Sequence, residues 1–317
     1  MAVSKEQRLW QACTDGDFDT MKELVDDPAV DLNWVGEDRL DTSLHRACRF
    51  GRTKVAKELL RNPRIEVNKL NTFGCTPFFI ACQEGSTAIV EMLLGDSRVN
   101  VRWPHLDGHE PFFKACSTGQ KEIVSLLLAD PRIDPNKPWT EQRTPLWQAT
   151  QNGHLSALQH LLASHREIDT KMRHTFNNKT AAGQGRAMGR RTTKVEDETE
   201  EVFRRRKTNG PLCADLVDEY ERDPVAVRDR LRRQPGLREY FSGHLLALVV
   251  FHSDNFVVIK KRTAHSDTKR FFKMTSRLPL ELQMVLCNRV FGSPKDIILS
   301  RDSEPGFKCL ARTTTWQ

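Results

Sequence analysis

Thr144-Pro145-Leu146-Trp147-Gln148-Ala149-Thr150-Gln151-Asn152-Gly153-His154, closed by Leu161-Leu162, is the stretch on which the fold turns. Thr followed by Pro opens a helix, because the hydroxyl can cap the first free N–H groups and Pro suits the first helical position, where its missing N–H costs nothing. Ala149 and Thr150 are small enough to let a neighbouring helix come close, and Gly153 can take the positive φ that ends a helix. Leu161 and Leu162 supply the inner face of a second helix. Outward from this stretch the same features return in phase. A small pair recurs at Ala12-Cys13, Ala47-Cys48, Ala81-Cys82 and Ala115-Cys116, and a glycine follows at Gly16, Gly51, Gly85 and Gly119. Apolar pairs follow at Leu24-Val25, Leu59-Leu60, Leu93-Leu94 and Leu127-Leu128. Helix starts recur as Thr42-Ser43, Thr76-Pro77 and Glu110-Pro111. Self-similarity at one period of this length is the signature of a stacked solenoid, in which each unit buries its apolar face only against its neighbours.

The pattern T-P-L-H-x-A-A-x-x-G-H, with a closing L-L and a terminal V-N, resembles the ankyrin repeat, and five copies are in register over residues 5–171 (approximately 5–36, 37–70, 71–104, 105–138 and 139–171). The resemblance implies an all-α solenoid of helix-turn-helix units with short β-hairpin-like loops. It also implies a non-catalytic scaffold or adaptor that holds a protein partner on the loop tips and on the exposed, concave side of the first helices. In this sequence those places are Trp34, Phe73, Trp103 and Trp139 in the loops, and Arg49, Phe50, Gln83, Glu84, Ser117, Thr118, Gln151 and Asn152 at the helix ends. Trp, Phe and Arg are the residue types that dominate interface energies, although the same aromatics can pack along the stack. One departure is systematic: Asp27-Pro28, Asn62-Pro63, Ser97-Arg98 and Asp130-Pro131 stand where the family has Gly-Ala, so a stiffer exit from the second helix is expected.

Charge divides the chain. Its net charge is +7, yet residues 1–171 carry 21 Lys and Arg against 24 Asp and Glu, while residues 172–317 carry 28 against 18. With 29% charged residues, no run approaches the ~18 apolar residues of a membrane span. The most apolar run, Leu245 to Phe251, ends at His252-Ser253-Asp254 and reads as a core helix. The N-terminus lacks the basic-then-apolar order of a secretory signal, so an intracellular, cytoplasmic or nuclear setting with reduced cysteines is expected.

Beyond residue 171 the period fades. Asn178 to Ala182 sits where a sixth repeat would start, but Gly183 and Gly185 weaken a helix there and no Leu pair follows. Residues 172–209 therefore read as a degenerate cap followed by a flexible charged linker. Arg190-Arg191 and Arg204-Arg205-Arg206-Lys207 resemble a bipartite nuclear-import signal. A nucleic-acid-associated nuclear protein acting through this basic linker is a further alternative, against which stand the acidic run Glu196–Glu201 between the clusters and the want of interleaved aromatics. Residues 210–317 read as a helical module. In it Leu278-Pro279-Leu280-Glu281-Leu282, followed by Leu286 and Val290, is similar to the first helix of an F-box, which would imply an adaptor for a cullin-type ubiquitin ligase.

No motif for catalysis is legible: there is no phosphate-binding glycine loop, nucleophile elbow or distinguishable triad, and no cofactor is implied. Four cysteines share one repeat position, which packing explains, and no Cys/His set has zinc spacing. His105 and His109 fall in a loop beside Pro104 and Gly108, where helical i,i+4 proximity does not apply, so no metal role is expected.

Overall fold

The computed structural model describes residues 3–37, 39–235, 237–238, 240–242, 245–246 and 283. The apolar segment 245–251 and the F-box-like segment 278–291 lie almost wholly outside the described residues. Five helix pairs follow the repeat register: α1 (Lys5–Asp15) with α2 (Phe18–Val25), α3 (Ser43–Arg49) with α4 (Thr53–Arg61), and α5 (Pro77–Glu84) with α6 (Thr87–Gly95). Next come α7 (Pro111–Thr118) with α8 (Lys121–Ala129), and α9 (Pro145–Gln151) with α10 (Leu155–Ala163). The first helices stack α1 on α3 on α5 on α7 on α9, and α2, α4 and α6 stack beside them. Among the described residues the loops, here called fingers, contain no strand, only an isolated bridge between Val35 and Thr42.

The sequence signals act as their chemistry requires. Thr76 and Thr144 accept hydrogen bonds from Phe79 N and Trp147 N, each with Pro at the first helical position, whereas Glu110 caps α7 with no side-chain bond. Gly85 and Gly119 both end their helices at φ +81°. The small column is the packing seam: Ala47, Ala81, Ala115 and Ala149 are fully buried. Cys13, Cys48, Cys82 and Cys116 are buried free thiols, and burial pushes the Cys13 thiol up to about 12.

Three polar ladders, unseen in the sequence reading, tie each repeat to the next. Arg52, Ser86, Gln120 and His154 each lie over the glycine of the preceding repeat and bond to the carbonyls of Thr14 (2.9 Å), Cys48 (3.1 Å), Gln83 (3.3 Å) and Ser117 (2.9 Å). Arg64, Arg98, Arg132 and Arg166 reach back to carbonyls at the end of the preceding second helix: Val25 (3.0 Å), Leu60 (2.7 Å), Leu94 (3.2 Å) and Leu128 (3.5 Å). Those carbonyls have no partner within their own helix. In the fingers Asn33, Asn68 and Asn136 donate to Arg64 O, Arg98 O and Glu167 O at 2.7–2.8 Å. The same side chains accept from Glu66 N, Asn100 N and Asp169 N.

The structure corrects the reading of residues 172–209. A sixth helix pair, α11 (Ala181–Gly189) and α12 (Glu200–Arg222), continues the array, with α11 packed on α9. Thr180 caps α11 through Gly183 N. Gly185 is not a helix breaker. It occupies the place of Ala149 and meets Gly210 of α12 so closely that a Cβ on Gly210 would stand 2.7 Å from the Gly185 carbonyl oxygen. The glycines are the condition for two helices to cross at backbone contact. The proposed break at residue 210 falls inside α12, which runs on through Pro211 to Arg222.

The chain divides into two compact units. One comprises Met1–Leu128, Arg132–Leu161 and Arg166–Asp218. The other takes in Ala129–Pro131, Leu162–His165 and the chain from Glu219. In the second, α13 (Pro224–Arg232) has Pro at its first position and is capped by the Asp223 carboxylate, which accepts from Ala226 N. Arg232 donates to Ala163 O at 2.8 Å and lies over the Phe241 ring. Among the described residues no helix is long and apolar enough to cross a membrane.

Candidate interaction surface

The ends of the first helices form a row, and its N-terminal part is built around a buried carboxylate. Asp41 is 1% exposed and accepts from Arg49 Nη2 at 3.2 Å and Asn71 Nδ2 at 2.8 Å. Arg49 reaches on to Glu84 at 3.6 Å, and Gln83 donates to Glu84 at 2.9 Å. Arg49, Gln83 and Glu84 are thus brought together across repeats 2 and 3, with much of their polar capacity already engaged. Beside them the Arg46 guanidinium is sandwiched between Trp10, 4.2 Å from its centroid, and Phe50, 4.6 Å away. Phe50 remains exposed.

Further along, the row closes. Ser117 O accepts from Asn152 Nδ2 (2.8 Å) and His154 Nε2 (2.9 Å), while Thr118 turns its hydroxyl back onto Lys114 O (3.0 Å). Asn152, expected at the contact surface, is 7% exposed, with its Oδ1 taken by Arg206 (2.7 Å) and its carbonyl by Arg205 (3.1 Å). Helix α12 covers this end of the row, which the expectation of a degenerate cap and flexible linker over residues 172–209 does not show. Gln151 is half-buried, with its Oε1 buried and unbonded.

The basic clusters are similarly drawn in. Arg191 and Arg206 both pair with Glu198, at 2.7 and 3.0 Å, and this carboxylate is only 4% exposed beneath the two guanidinium groups. Arg191 first, then the Val195 N–H and the charge of Arg206, hold its pKa down at about 2. Arg190, Arg204 and Lys207 stay exposed.

The loop aromatics do not make one row. Trp34 and Trp103 share a finger position with Lys69 and Lys137, at the foot of the finger, and Trp103 is the more open, in a shallow depression with Arg102, Pro104 and Glu110. Trp139 lies elsewhere, packed on His109 (5.2 Å) and Phe113 (5.4 Å), with its indole N–H on Asp107 O. It joins repeats 4 and 5. Phe73 is at a fingertip, exposed, with Arg39 stacked on it at 5.6 Å.

The tips hold what the sequence reading missed. Leu40, Gly74, Gly108, Gln142 and Asn178 all stand two residues before an N-cap, and all have positive φ. Leu40 pays for that place in strain at φ +52° and points an exposed side chain outward, where Gly serves in repeats 3 and 4. With Phe73, Leu106 at 72% exposure and Phe176 at 78%, it gives repeats 2, 3, 4 and 6 an apolar tip. Neighbouring tips are tied by Thr72 N to Arg39 O (2.9 Å), Leu106 N to Phe73 O (3.5 Å) and Thr175 N to Glu141 O (2.9 Å).

The finger of repeat 4 also brings His105, Asp107 and His109 together, against the expectation from sequence. Gly108, at φ +89°, lets the chain fold back so that His105 N donates to His109 O at 3.1 Å. The two rings stack with centroids 4.8 Å apart. Burial, then the neighbouring His105, lowers the His109 pKa to about 4.

A family model described as ankyrin repeats in three copies matches residues 9–102 and 95–174, just over half of the chain. The chain belongs to the ankyrin-repeat family. The crystal structure of EF0377, an ankyrin repeat protein, matches with a TM-score of 0.52 and 20% identity, covering 64% of this chain and 96% of that one, and so shares the fold. No curated protein matches the chain in sequence. Ankyrin repeats are a protein-interaction module, and their fold is typically non-catalytic. In this ankyrin array the open surface is the part around Phe50 and the fingertips, and the covered part lies under α12.

Proposed function

We propose that this ankyrin array is a non-catalytic scaffold that binds a protein partner across its fingertips and the open end of the first-helix row. The observation that carries the reading is the series of exposed apolar tips, Leu40, Phe73, Leu106 and Phe176, the tips of repeats 2, 3 and 4 being tied in sequence by backbone hydrogen bonds and that of repeat 6 to the finger of repeat 5. Apolar groups held in water on a stiff frame lose little further freedom when a partner covers them, so most of the burial energy appears as affinity. The strained backbone of Leu40 supports the same reading, because a leucine at positive φ gives nothing to the fold that glycine would not give better.

Affinity capture with the full chain tests this, comparing wild type with Phe73→Ala/Leu106→Ala and with Phe50→Ala/Trp103→Ala. Each aromatic at the centre of an interface is worth about 2 kcal/mol, or roughly thirtyfold in affinity. Proteins recovered by wild type and lost from the first variant, with the fold intact by circular dichroism, support the tip surface. Loss from the second extends the surface to the helix row. Full recovery by both variants refutes the reading.

A further inference from the structure

We propose that the finger of repeat 4 binds one divalent transition-metal ion of the zinc class through His105, Asp107 and His109. The hairpin, and not a helix, makes the site. His105 and His109 face each other across the turn, and each of the three residues presents a donor atom within 4.8 Å of the other two. One edge, His105 Nδ1 to Asp107 Oδ2, is 3.3 Å. Ligands about 2.0–2.1 Å from a tetrahedral zinc ion stand about 3.3 Å apart, so this edge already has the required span. Closing the other edges takes a rotation of the exposed Asp107 side chain and a shift of its loop.

Packing alone leaves part of this finger unexplained. The neighbouring finger places Asn71, Phe73 and Cys75 where this one has His105, Asp107 and His109, and there Asn71 Oδ1 accepts from Phe73 N and Cys75 N to close the turn. His105 does the same turn-closing work through Nδ1, which accepts from Asp107 N at 3.1 Å. That accounts for one imidazole. It does not account for the Asp107 carboxylate, nor for His109 Nδ1, which is buried and has no hydrogen-bond partner. The His109 ring is walled by Phe79 (5.3 Å), Phe113 (5.8 Å) and Trp139 (5.2 Å), an apolar surround that fixes the ring and limits competing water.

The donor set selects the metal. Two imidazoles and one carboxylate suit zinc and its neighbours, whereas calcium and magnesium need cages of oxygen. Three protein ligands leave a fourth position to water. On binding, His105 Nδ1 exchanges the Asp107 amide for the ion, and that amide is released to solvent at an exposed residue.

Calorimetric titration of the chelator-stripped full chain with zinc chloride tests the site. The expected result is saturable binding of one ion per chain, weakened about 100-fold in both His109→Gln and Asp107→Asn. Because His109 also packs against aromatics, Asp107→Asn, at an exposed side chain, keeps the test independent of folding. Wild type without saturable binding, or Asp107→Asn binding as tightly as wild type, overturns the proposal.

Discussion

The Arg64 guanidinium donates to the carbonyl oxygen of Val25 at 3.0 Å, closing the end of α2 from the neighbouring repeat. It also reaches Asp27 O, Pro28 O and Val30 O, at 3.1–3.3 Å. A helix end that lacks its own partners is thus capped in trans, and the stack gains a directional contact that apolar packing does not supply.

Arg64→Ala should therefore destabilise the array by about 1.5 kcal/mol, toward the lower end of what hydrogen bonds to a charged group contribute, since the site is open to water. Arg64→Lys should recover little, because an ammonium cannot span four carbonyls as a fork does. Urea unfolding midpoints measure both. An unchanged midpoint in Arg64→Ala would mean that water serves those carbonyls as well as arginine does.

His45, His109, His154 and His160 all have pKa values lowered from 6.5 to about 4, with burial the largest cause. His45 shows why: its Nδ1 accepts from Thr42 N and its Nε2 donates to Cys75 O at 3.0 Å, a pairing that only the neutral ring provides. Below pH 6.5 the unfolded chain takes up protons that the folded chain refuses, so stability falls between pH 6.5 and about 4 and levels off below that on their account. Thermal unfolding in the presence of chelator should show this decline, and imidazole NMR titrations should assign it. A melting temperature constant from pH 6.5 to 4.5 would contradict it.

Glu198 works in a lower window, its pKa lowered as well but because the charged form is the one the fold favours. Its carboxylate is favoured when folded, so its contribution is complete above its ordinary value of 4.5 and is lost as the pH falls toward about 2. Glu198→Gln should reduce stability at neutral pH and flatten the profile below pH 4.5. It should also free Arg191 and Arg206, so that trypsin cuts at Arg205 and Arg206 faster than in wild type. Equal cleavage rates would show that α12 is held without the Glu198 pairs, by its apolar contacts and its bonds to Asn152.

What the sequence made legible follows from what each residue does alone. Thr76-Pro77, Ala81 and Gly85 act through intrinsic conformation and size, so their spacing was enough to place five helix pairs. The arginine column at 64, 98, 132 and 166 keeps the same period, but charged residues in loops look solvated until the carbonyls they meet are placed in space. Asn152 could not be excluded from the surface without α12, and His105 with His109 could not be joined without the hairpin. Glycine misled most, because one residue type serves as helix breaker, left-handed cap and close-contact surface.

Gly183 and Gly185, both in α11, separate these roles in one experiment. A Cβ on Gly183 meets nothing nearer than 3.5 Å, so Gly183→Ala should stabilise α11 by up to about 1 kcal/mol through helix propensity. The same change at Gly185 has the same propensity gain, but its Cβ would stand 2.9 Å from the Thr150 side chain and closer still to the Gly210 carbonyl oxygen. The neighbour on the α12 side is backbone within a helix, which cannot turn aside as a side chain does. Overpacking of this kind costs about 1–3 kcal/mol, so Gly185→Ala should be net destabilising. Opposite signs in the two variants, measured by denaturant unfolding, mark a backbone crossing between α11 and α12. If Gly185→Ala stabilised the protein as much as Gly183→Ala, α11 would be an ordinary exposed helix and the sixth repeat would not be packed as described.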